Sequence, residues 1–346
     1  MKNMKRLIFI AGLCASAVFA RAEGILGFDA FFPANEYYEY NSYFGLITGY
    51  APGVGDDNNE GIRPTGKVWR SSGFVQKYTI SGWATGVASF NQGPGVTGDG
   101  TEYGPGKWSD PTKALGQATT SDTSDVVVLG DGGSIVLTFA NGIGNGSGYD
   151  FVVYENALND TFLELAFVEV STDGEHFVRF PNFYLGTTPV GSDTDEGGGV
   201  NDPTKIYNLG SKYRIGYGNG YDLQELAQVA EYIETHYDPS TGTKTASSML
   251  SAEYMGTFLE NYEYLDLANV QYVKIVDVVG DGNTLDSSGN PIYDAYPTHG
   301  TPGFDLSGVA VINEAELIPE PADMAWTIAA AALAAIALRR FRRNAR

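Results

Sequence analysis

The chain has 346 residues, with 42 acidic and 21 basic side chains and a formal net charge of −21. Nine of the basic residues and one acidic residue lie in residues 1–22 and 322–346. The remainder therefore carries 12 basic and 41 acidic residues, a net charge of −29. Such a body repels nucleic acid and other anionic polymers, which excludes nucleic acid as a partner.

The N-terminus carries the three parts of a secretory signal peptide. Three basic residues lie among the first six, and an apolar run follows over residues 7–19. Ala20 and Ala22 supply the small residues that a signal peptidase needs. The pattern predicts a signal helix that is removed, so that the mature chain begins at Glu23; a buried N-terminal helix is the alternative.

Cleavage at this site leaves a mature chain without cysteine, because Cys14 is the only one. This excludes disulfides, thiolate metal sites and a cysteine nucleophile. A secreted protein of this kind is held by its hydrophobic core, by metal ions, or by both.

The next residues are weakly patterned, and the body then follows a period of two. Residues 23–80 are rich in Tyr, Gly and Asn, and we expect an extra layer or a loose arm there. In residues 134–139 the bulky side chains of Ile135, Leu137 and Phe139 fall on one face, which predicts a β-strand.

Further strands are predicted along the body. Residues 151–154 form a continuous apolar run of strand length, and residues 272–278 and 309–312 add two later strands. An Asp-Gly pair separates residues 167–171 from residues 176–180, which favours a hairpin because Gly adopts positive φ at little cost. The side chains expected on the buried face of this hairpin are Val168, Val170, Val178 and Phe180.

A short helical insertion is predicted at about residues 222–262. Apolar residues recur at helical spacing in residues 222–237, where Asp222 can act as the N-cap. A second helix is predicted over residues 248–260, with a loop at residues 238–244. Many short strands with Gly-rich turns are typical of a sandwich or barrel, so the fold class is all-β with this insertion.

The C-terminus carries a short motif, an apolar run and a basic end. Pro319, Glu320 and Pro321 precede an apolar stretch over residues 324–338, followed by five arginines. The stretch is short for a membrane-spanning helix, and its arginines favour the cytoplasmic side. Residues 317–346 resemble the PEP-CTERM sorting signal. The resemblance implies an exosortase-type processing enzyme that cuts near the motif; the alternative is an ordinary tail anchor.

Four acidic loops punctuated by Gly or Asn lie at residues 56–60, 193–202, 277–286 and 299–305. Ca²⁺ takes six to eight oxygen ligands in irregular geometry, so these loops are candidate cation sites, with solvated turns as the alternative. Asp277 either points toward the core or caps the following turn. The predicted Ca²⁺ ligands are Glu155, Asp277, Asp281, Asp286 and Asp305.

Signals for catalysis are weak. The sequence contains no Gly-x-Ser-x-Gly motif, and the three histidines lack the spacing of metal ligands. No catalytic residue is therefore predicted, although a carboxylate pair for glycoside hydrolysis stays open, because only the spatial separation of two carboxylates decides it.

Six blocks follow one another within residues 83–313: SDPTKALG (109–116), LGDGGSI (129–135), YDFVVYEN (149–156), AFVEVS (166–171), VKIVDVVG (273–280) and GFDLSGV (303–309). Through these blocks, residues 83–313 resemble an uncharacterised family of bacterial secreted domains often found with this sorting tail. The resemblance implies a jelly-roll sandwich similar to galactose-binding-like domains over residues 81–316, and no established activity. Residues 232–262 are longer and more helical than the family pattern.

Three classes of function follow. We expect an exported, non-catalytic protein of the cell surface or extracellular matrix that binds carbohydrate, such as an extracellular polysaccharide, or another surface component. Before processing, the C-terminal helix would anchor it in the cytoplasmic membrane. The alternatives are a purely structural surface protein without a small ligand and a secreted polysaccharide hydrolase.

Overall fold

The computed structural model describes residues 61–70, 73–96, 102–103, 108–193, 198–300 and 302–316. The predicted signal helix and sorting tail, and most of the predicted arm, lie outside these residues. The described residues all belong to one compact unit. Within the described residues, neither helix is long and apolar enough to cross a bilayer.

Strands make up most of the described secondary structure, with two α-helices and two short 3₁₀ turns, Pro111–Ala114 and Pro203–Lys205. The helices are α1 (Gln224–His236) and α2 (Ala252–Tyr262). The strands are β1 (Lys67–Arg70), β2 (Gly73–Gln76), β3 (Gly82–Asn91), β4 (Gly95–Val96), β5 (Glu102–Tyr103), β6 (Val127–Val128), β7 (Ser134–Ile143), β8 (Phe151–Glu155), β9 (Ala166–Ser171), β10 (Val178–Arg179), β11 (Phe183–Tyr184), β12 (Ile206–Tyr207), β13 (Asn219–Tyr221), β14 (Tyr237–Asp238), β15 (Thr243–Lys244), β16 (Val270–Asp277), β17 (Asp281–Leu285), β18 (Pro291–Tyr293) and β19 (Asp305–Val311).

The main sheet has nine antiparallel strands in the order β10-β9-β16-β7-β3-β19-β8-β13, with β6 beside β19. Strand β3 joins the two halves of this order. Its first residues, Gly82 and Trp83, pair with β19, whereas Ala84 onward pairs with β7 through two register shifts. Such irregularities bend a strand and increase its twist, and the sheet is curled. The predicted all-β class is therefore confirmed.

The strands predicted from period-two patterning are present. Ile135, Leu137 and Phe139 of β7 are buried, as expected. Val136, on the opposite face, is also buried, so this part of β7 is covered on both faces. All five residues of β8 are buried, in agreement with its continuous apolar sequence.

The predicted hairpin is formed by β9 and β10, with Val178 opposite Val170. Asp173 shapes the turn by accepting hydrogen bonds from the backbone N–H groups of Glu175 and His176, and Gly174 has a φ of 79°. The four side chains predicted to share its buried face are all buried. The hydrogen bonds of Asp173 and the positive φ of Gly174 therefore account for the turn of the β9–β10 hairpin.

Both predicted helices are present, with shifted starts. The Asp222 carboxylate accepts a hydrogen bond from the N–H of Gln224 at 2.9 Å, while the helix itself begins at Gln224. Ser251, three residues after the predicted start, caps α2 by accepting a hydrogen bond from the N–H of Tyr254 at 3.1 Å.

The prediction of a plain loop at residues 238–244 was wrong. This segment forms the small hairpin of β14 and β15, in which Tyr237 lies opposite Lys244. The Asp238 carboxylate accepts hydrogen bonds from Ser240, and Gly242 adopts a φ of 68° to complete the turn. A short, exposed two-stranded hairpin carries no apolar alternation, so periodicity could not reveal it.

Residues 61–70 and 73–80, from the C-terminal part of the predicted arm, pack on the main sheet. Ile62 and Val68 are fully buried in a cluster with Val152, Tyr154 and Ala310. This described part of the arm is an additional layer over strands β8 and β19.

Candidate functional site

An open groove of about 590 Å³ lies between the β9–β10 hairpin, helix α2 and the β17–β18 hairpin. Three separate parts of the chain supply its walls. Its lining residues are Glu169, Phe177, Arg179, Asn182, Ser251, Glu253, Tyr254, Thr257, Phe258, Asn283, Thr284, Leu285, Asp286, Ser287 and Gly289.

Backbone hydrogen bonds hold the three walls together. Ser287, in the turn between β17 and β18, accepts a hydrogen bond at its carbonyl from the N–H of Ser251 at 2.8 Å. Its hydroxyl accepts another from the N–H of Asn182 at 3.0 Å. The phenol of Tyr254 donates to the carbonyl of Arg179 at 2.9 Å. The groove is therefore preformed rather than assembled from independent loops.

A three-residue ion-pair network lies at the base of the groove. Arg179 donates to Glu169 Oε1 from Nε at 2.9 Å and from Nη2 at 2.7 Å. Lys274 Nζ lies 2.9 Å from Glu169 Oε2. The Arg179 guanidinium carbon also lies 3.7 Å from the ring centroid of Phe167, which fixes its plane. The two cations hold both oxygens of the Glu169 carboxylate.

Hydrogen-bonding and apolar side chains lie side by side in the groove. Asn182 contributes to the lining, although it is only 1% exposed, and its Oδ1 is closed to solvent and receives no hydrogen bond from the described residues. The groups open to a ligand are therefore the polar side chains of helix α2 and of the β17–β18 hairpin. Phe177 and the 45% exposed Leu285 add an apolar surface beside these polar groups.

Tyr254 is a fixed donor in this wall. Burial raises the pKa of its phenol well above its ordinary value, and the charge of Glu225 acts in the same direction. The phenol therefore keeps its proton and its hydrogen bond to the backbone across the physiological range.

Asp277, one of the predicted Ca²⁺ ligands, is a buried clamp between loops. Its Oδ2 accepts from the N–H of Gly132 at 2.8 Å, and its Oδ1 accepts from the N–H of Phe304 at 2.7 Å. Burial raises the pKa of this carboxyl well above its ordinary value. Both alternatives predicted for Asp277 from the sequence hold in part. Its side chain points inward, and it also accepts hydrogen bonds from backbone N–H groups in loops.

Asp286 and Asp281 lie away from Asp277. Asp286 is buried and accepts from the N–H groups of Tyr184, Ser288 and Asn290, so it organises the turn after β17. Asp281 is exposed and bonds only locally, to Asn283. The structure therefore does not bring these two carboxylates to the other predicted ligands.

Glu155 and Asp305 do lie near each other, at the end of β8 and the start of β19. Two buried carboxylates that the sequence did not single out, Glu164 and Asp294, lie in the same region, and the charge of Asp294 raises the pKa of both Glu155 and Glu164. Both lie outside the four acidic loops that the sequence indicated, so the loop signal missed them. Among the described residues, no three Asp, Glu, His or Cys side chains converge in metal-binding geometry.

The histidines do not form a catalytic arrangement with the groove. His299 Nδ1 lies 2.8 Å from Asp193 Oδ1 and 3.3 Å from Ser192 Oγ. A Ser-His-Asp triad needs these partners on opposite ring nitrogens, and here both meet Nδ1. His176 stacks on Tyr264 at 3.7 Å between ring centroids.

The fold and the groove define a β-rich protein with an open groove of mixed polar and apolar lining at the edge of its main sheet. A scan against protein-family models matched none, and a search of the curated proteins found no relative of this chain. The chemistry of the site itself therefore has to indicate its function.

Proposed function

We propose that this chain is an exported, non-catalytic protein of the cell surface or extracellular matrix that binds carbohydrate in the groove. The observation that carries the proposal is the groove itself, whose walls are held together by hydrogen bonds and whose lining places the apolar surface of Phe177 and Leu285 beside hydrogen-bonding side chains. Sugar hydroxyls donate hydrogen bonds, and the apolar face of a sugar ring packs on side chains such as Phe177.

The charge of the groove favours a neutral sugar. Arg179 is paired with Glu169, and the lining also contains Glu253 and Asp286. A body with a net charge of −29 repels uronic or sulfated polymers at long range. The ligand class is therefore a neutral extracellular polysaccharide.

Export and sorting belong to the same proposal. A signal peptidase would cut after Ala22, and an exosortase-type enzyme would act at Pro319-Glu320-Pro321. The curled antiparallel sheet supports a jelly-roll arrangement, a scaffold on which an edge groove can present a polymer site.

The two alternatives are less well supported. A purely structural protein has no need for a preformed groove of this kind. For a hydrolase, the buried carboxylates that line the groove are Glu169 and Asp286. Arg179 and Lys274 occupy both oxygens of Glu169, and three backbone N–H groups occupy both oxygens of Asp286, so neither carboxylate is open to a substrate proton.

Binding of neutral glycans to purified full-length protein tests the proposal. Phe177→Ala should weaken the binding of a glycan that the wild type retains by about fivefold or more, because an aromatic contact of this kind contributes about 1 kcal/mol. Tyr264→Ala is the matched control, since Tyr264 is a 47% exposed aromatic residue outside the groove lining. Equal loss in both variants, or no binding to any glycan of a broad panel, would contradict a sugar site here.

A further inference from the structure

Five carboxylates, four of them buried and Asp305 partly buried, gather at one end of the main sheet. They come from the ends of four strands and from the segment that leads into β9. In the strand pairing, Glu155 lies opposite Leu306, the neighbour of Asp305, and Asp277 lies opposite Ala166. The five are Glu155, Glu164, Asp277, Asp294 and Asp305.

Two of these carboxylates already accept hydrogen bonds at both of their oxygens. Asp277 accepts from two backbone N–H groups, as described above. Asp294 accepts from the N–H groups of Leu165 and Ala295 and, at 2.9 Å, from the side-chain amide of Asn201. Their charges add to the local field, but their oxygens are not open to a ligand.

Glu164 and Asp305 are different, because they retain oxygens without donors. Glu164 is 6% exposed, and no hydrogen bond or ion pair reaches its carboxylate from the described residues. Glu164 lies two residues before Ala166, which pairs with Asp277, and the other four carboxylates all raise the pKa of Glu164. Asp305 Oδ1 is buried and likewise receives no hydrogen bond from this part of the chain. Glu155 completes the set and bonds only once to a side chain, from the Ser211 hydroxyl to Oε2 at 2.8 Å.

Neighbouring carboxylates that are buried without a counter-charge are unstable as anions. No ion pair joins any of the five to a Lys or Arg among the described residues. The missing positive charge must therefore come from a bound cation or from protons. Burial and the surrounding carboxylates raise the pKa of Glu164, which is the expected response when no cation is bound.

We propose that Glu164 and Asp305, together with Glu155, bind a Ca²⁺ ion at this end of the sheet. Ca²⁺ prefers carboxylate oxygens, accepts irregular geometry and completes its shell with water. The three carboxylates do not converge in bonding geometry on their own, so water molecules and small side-chain rotations belong to the site. A partly hydrated site of this kind has a Kd on the order of 10⁻⁴ to 10⁻³ M, which suits an extracellular module.

This assignment revises the ligand set expected from the sequence and does not depend on carbohydrate binding. Calorimetric titration of Ca²⁺ into chelator-stripped, full-length protein should show binding, and Ca²⁺ should raise the Tm by several degrees more than Mg²⁺ does. Glu164→Gln keeps the shape of the side chain but removes its charge, so it should abolish both effects. Asp281→Asn, the control, removes an exposed carboxylate outside the cluster and should leave both effects unchanged.

The outcomes separate an ion from a proton. If Ca²⁺ neither binds nor raises the Tm of the wild type, the unsatisfied carboxyls share protons and the Ca²⁺ site does not exist. Equal shifts from Ca²⁺ and Mg²⁺, or a Ca²⁺ effect retained in Glu164→Gln, would show screening of the acidic surface and would also overturn the proposal. The wild-type titration does not depend on whether the variant folds.

Discussion

At the scale of single residues, buried carboxylates accept hydrogen bonds from backbone N–H groups in place of a backbone carbonyl. Asp277 is the clearest example, because its two oxygens join the loop before β7 to the loop before β19. The same loop requires glycine, since a Cβ on Gly130, which has a φ of 73°, would lie 2.3 Å from the carbonyl oxygen of Gly93. The close approach of Gly130 to Gly93 and the Asp277 carboxylate that bonds to both loops therefore fix the backbone here together.

Asp277→Asn should lower the free energy of unfolding by about 2 kcal/mol, because an amide N–H₂ would face a backbone N–H donor and leave it unsatisfied. Urea unfolding of the two proteins at one pH measures the difference. Asp122→Asn is the control, since Asp122 bonds to Ser124 at the surface and the change should stay within about 0.5 kcal/mol. A similar small loss for both variants would mean that the clamp contributes little.

At the scale of elements, helix α1 is tied to strand β12 and the residue after it by a buried acid. Glu225 in its first turn accepts hydrogen bonds from the Tyr207 hydroxyl at 2.8 Å and from the Asn208 amide at 2.9 Å. Burial raises the pKa of Glu225 to about 8, against the hydrogen bonds, which lower it, and the nearby charge of Asp222 raises it further. The helix is thus packed on a carboxyl that stays protonated at neutral pH.

This raised pKa predicts a pH dependence of stability. The folded state holds the Glu225 proton between about pH 4.5 and 8, whereas the unfolded state releases it, so this contribution is complete below that range and is lost as the pH rises through it. Glu225→Gln mimics the protonated acid and should flatten the fall of Tm between pH 5 and 8. Other buried acids act in the same direction, so the informative quantity is the difference between wild type and variant. Parallel curves would show that Glu225 does not titrate with folding.

At the scale of the whole molecule, the described fold closes before the predicted sorting tail. Glu314 pairs with Ile143, and Asn313 Nδ2 donates to the buried Asp150 at 2.8 Å. Ala315 is buried as well. These contacts attach the C-terminal end of the domain to β7 and β8.

Deleting residues 319–346 should therefore release a folded body with an unchanged Tm, as seen by circular dichroism and thermal unfolding. Deleting residues 313–346 is the comparison, because it also removes the contacts of Asn313, Glu314 and Ala315, and it should lower the Tm by several degrees. If the shorter deletion already aggregates or melts early, the tail is part of the fold.

Much of the fold could be predicted from the sequence, because the signals are local. Alternating bulky residues identified β7, an Asp-Gly turn identified the β9–β10 hairpin, and helical spacing identified α1 and α2 within a few residues. Each of these patterns depends on neighbours in the chain. The β14–β15 hairpin escaped because its four residues are too few to show a period.

The groove and the acidic cluster were decided only by the tertiary structure. The register of β9 and β10 places Glu169 opposite Arg179, which a hairpin prediction could have found, but Tyr254 and Asn283 reach the groove from distant segments. Loop composition proposed Asp277, Asp281 and Asp286 as ligands, yet the first and last are occupied by backbone donors and the second is exposed. Glu164 was missed because whether a carboxylate is free depends on which N–H groups the fold brings to it. The sequence by itself determined where strands, helices and acidic residues lie; only the folded chain decided which acids are satisfied, since hydrogen-bond partners come from segments far apart in the chain.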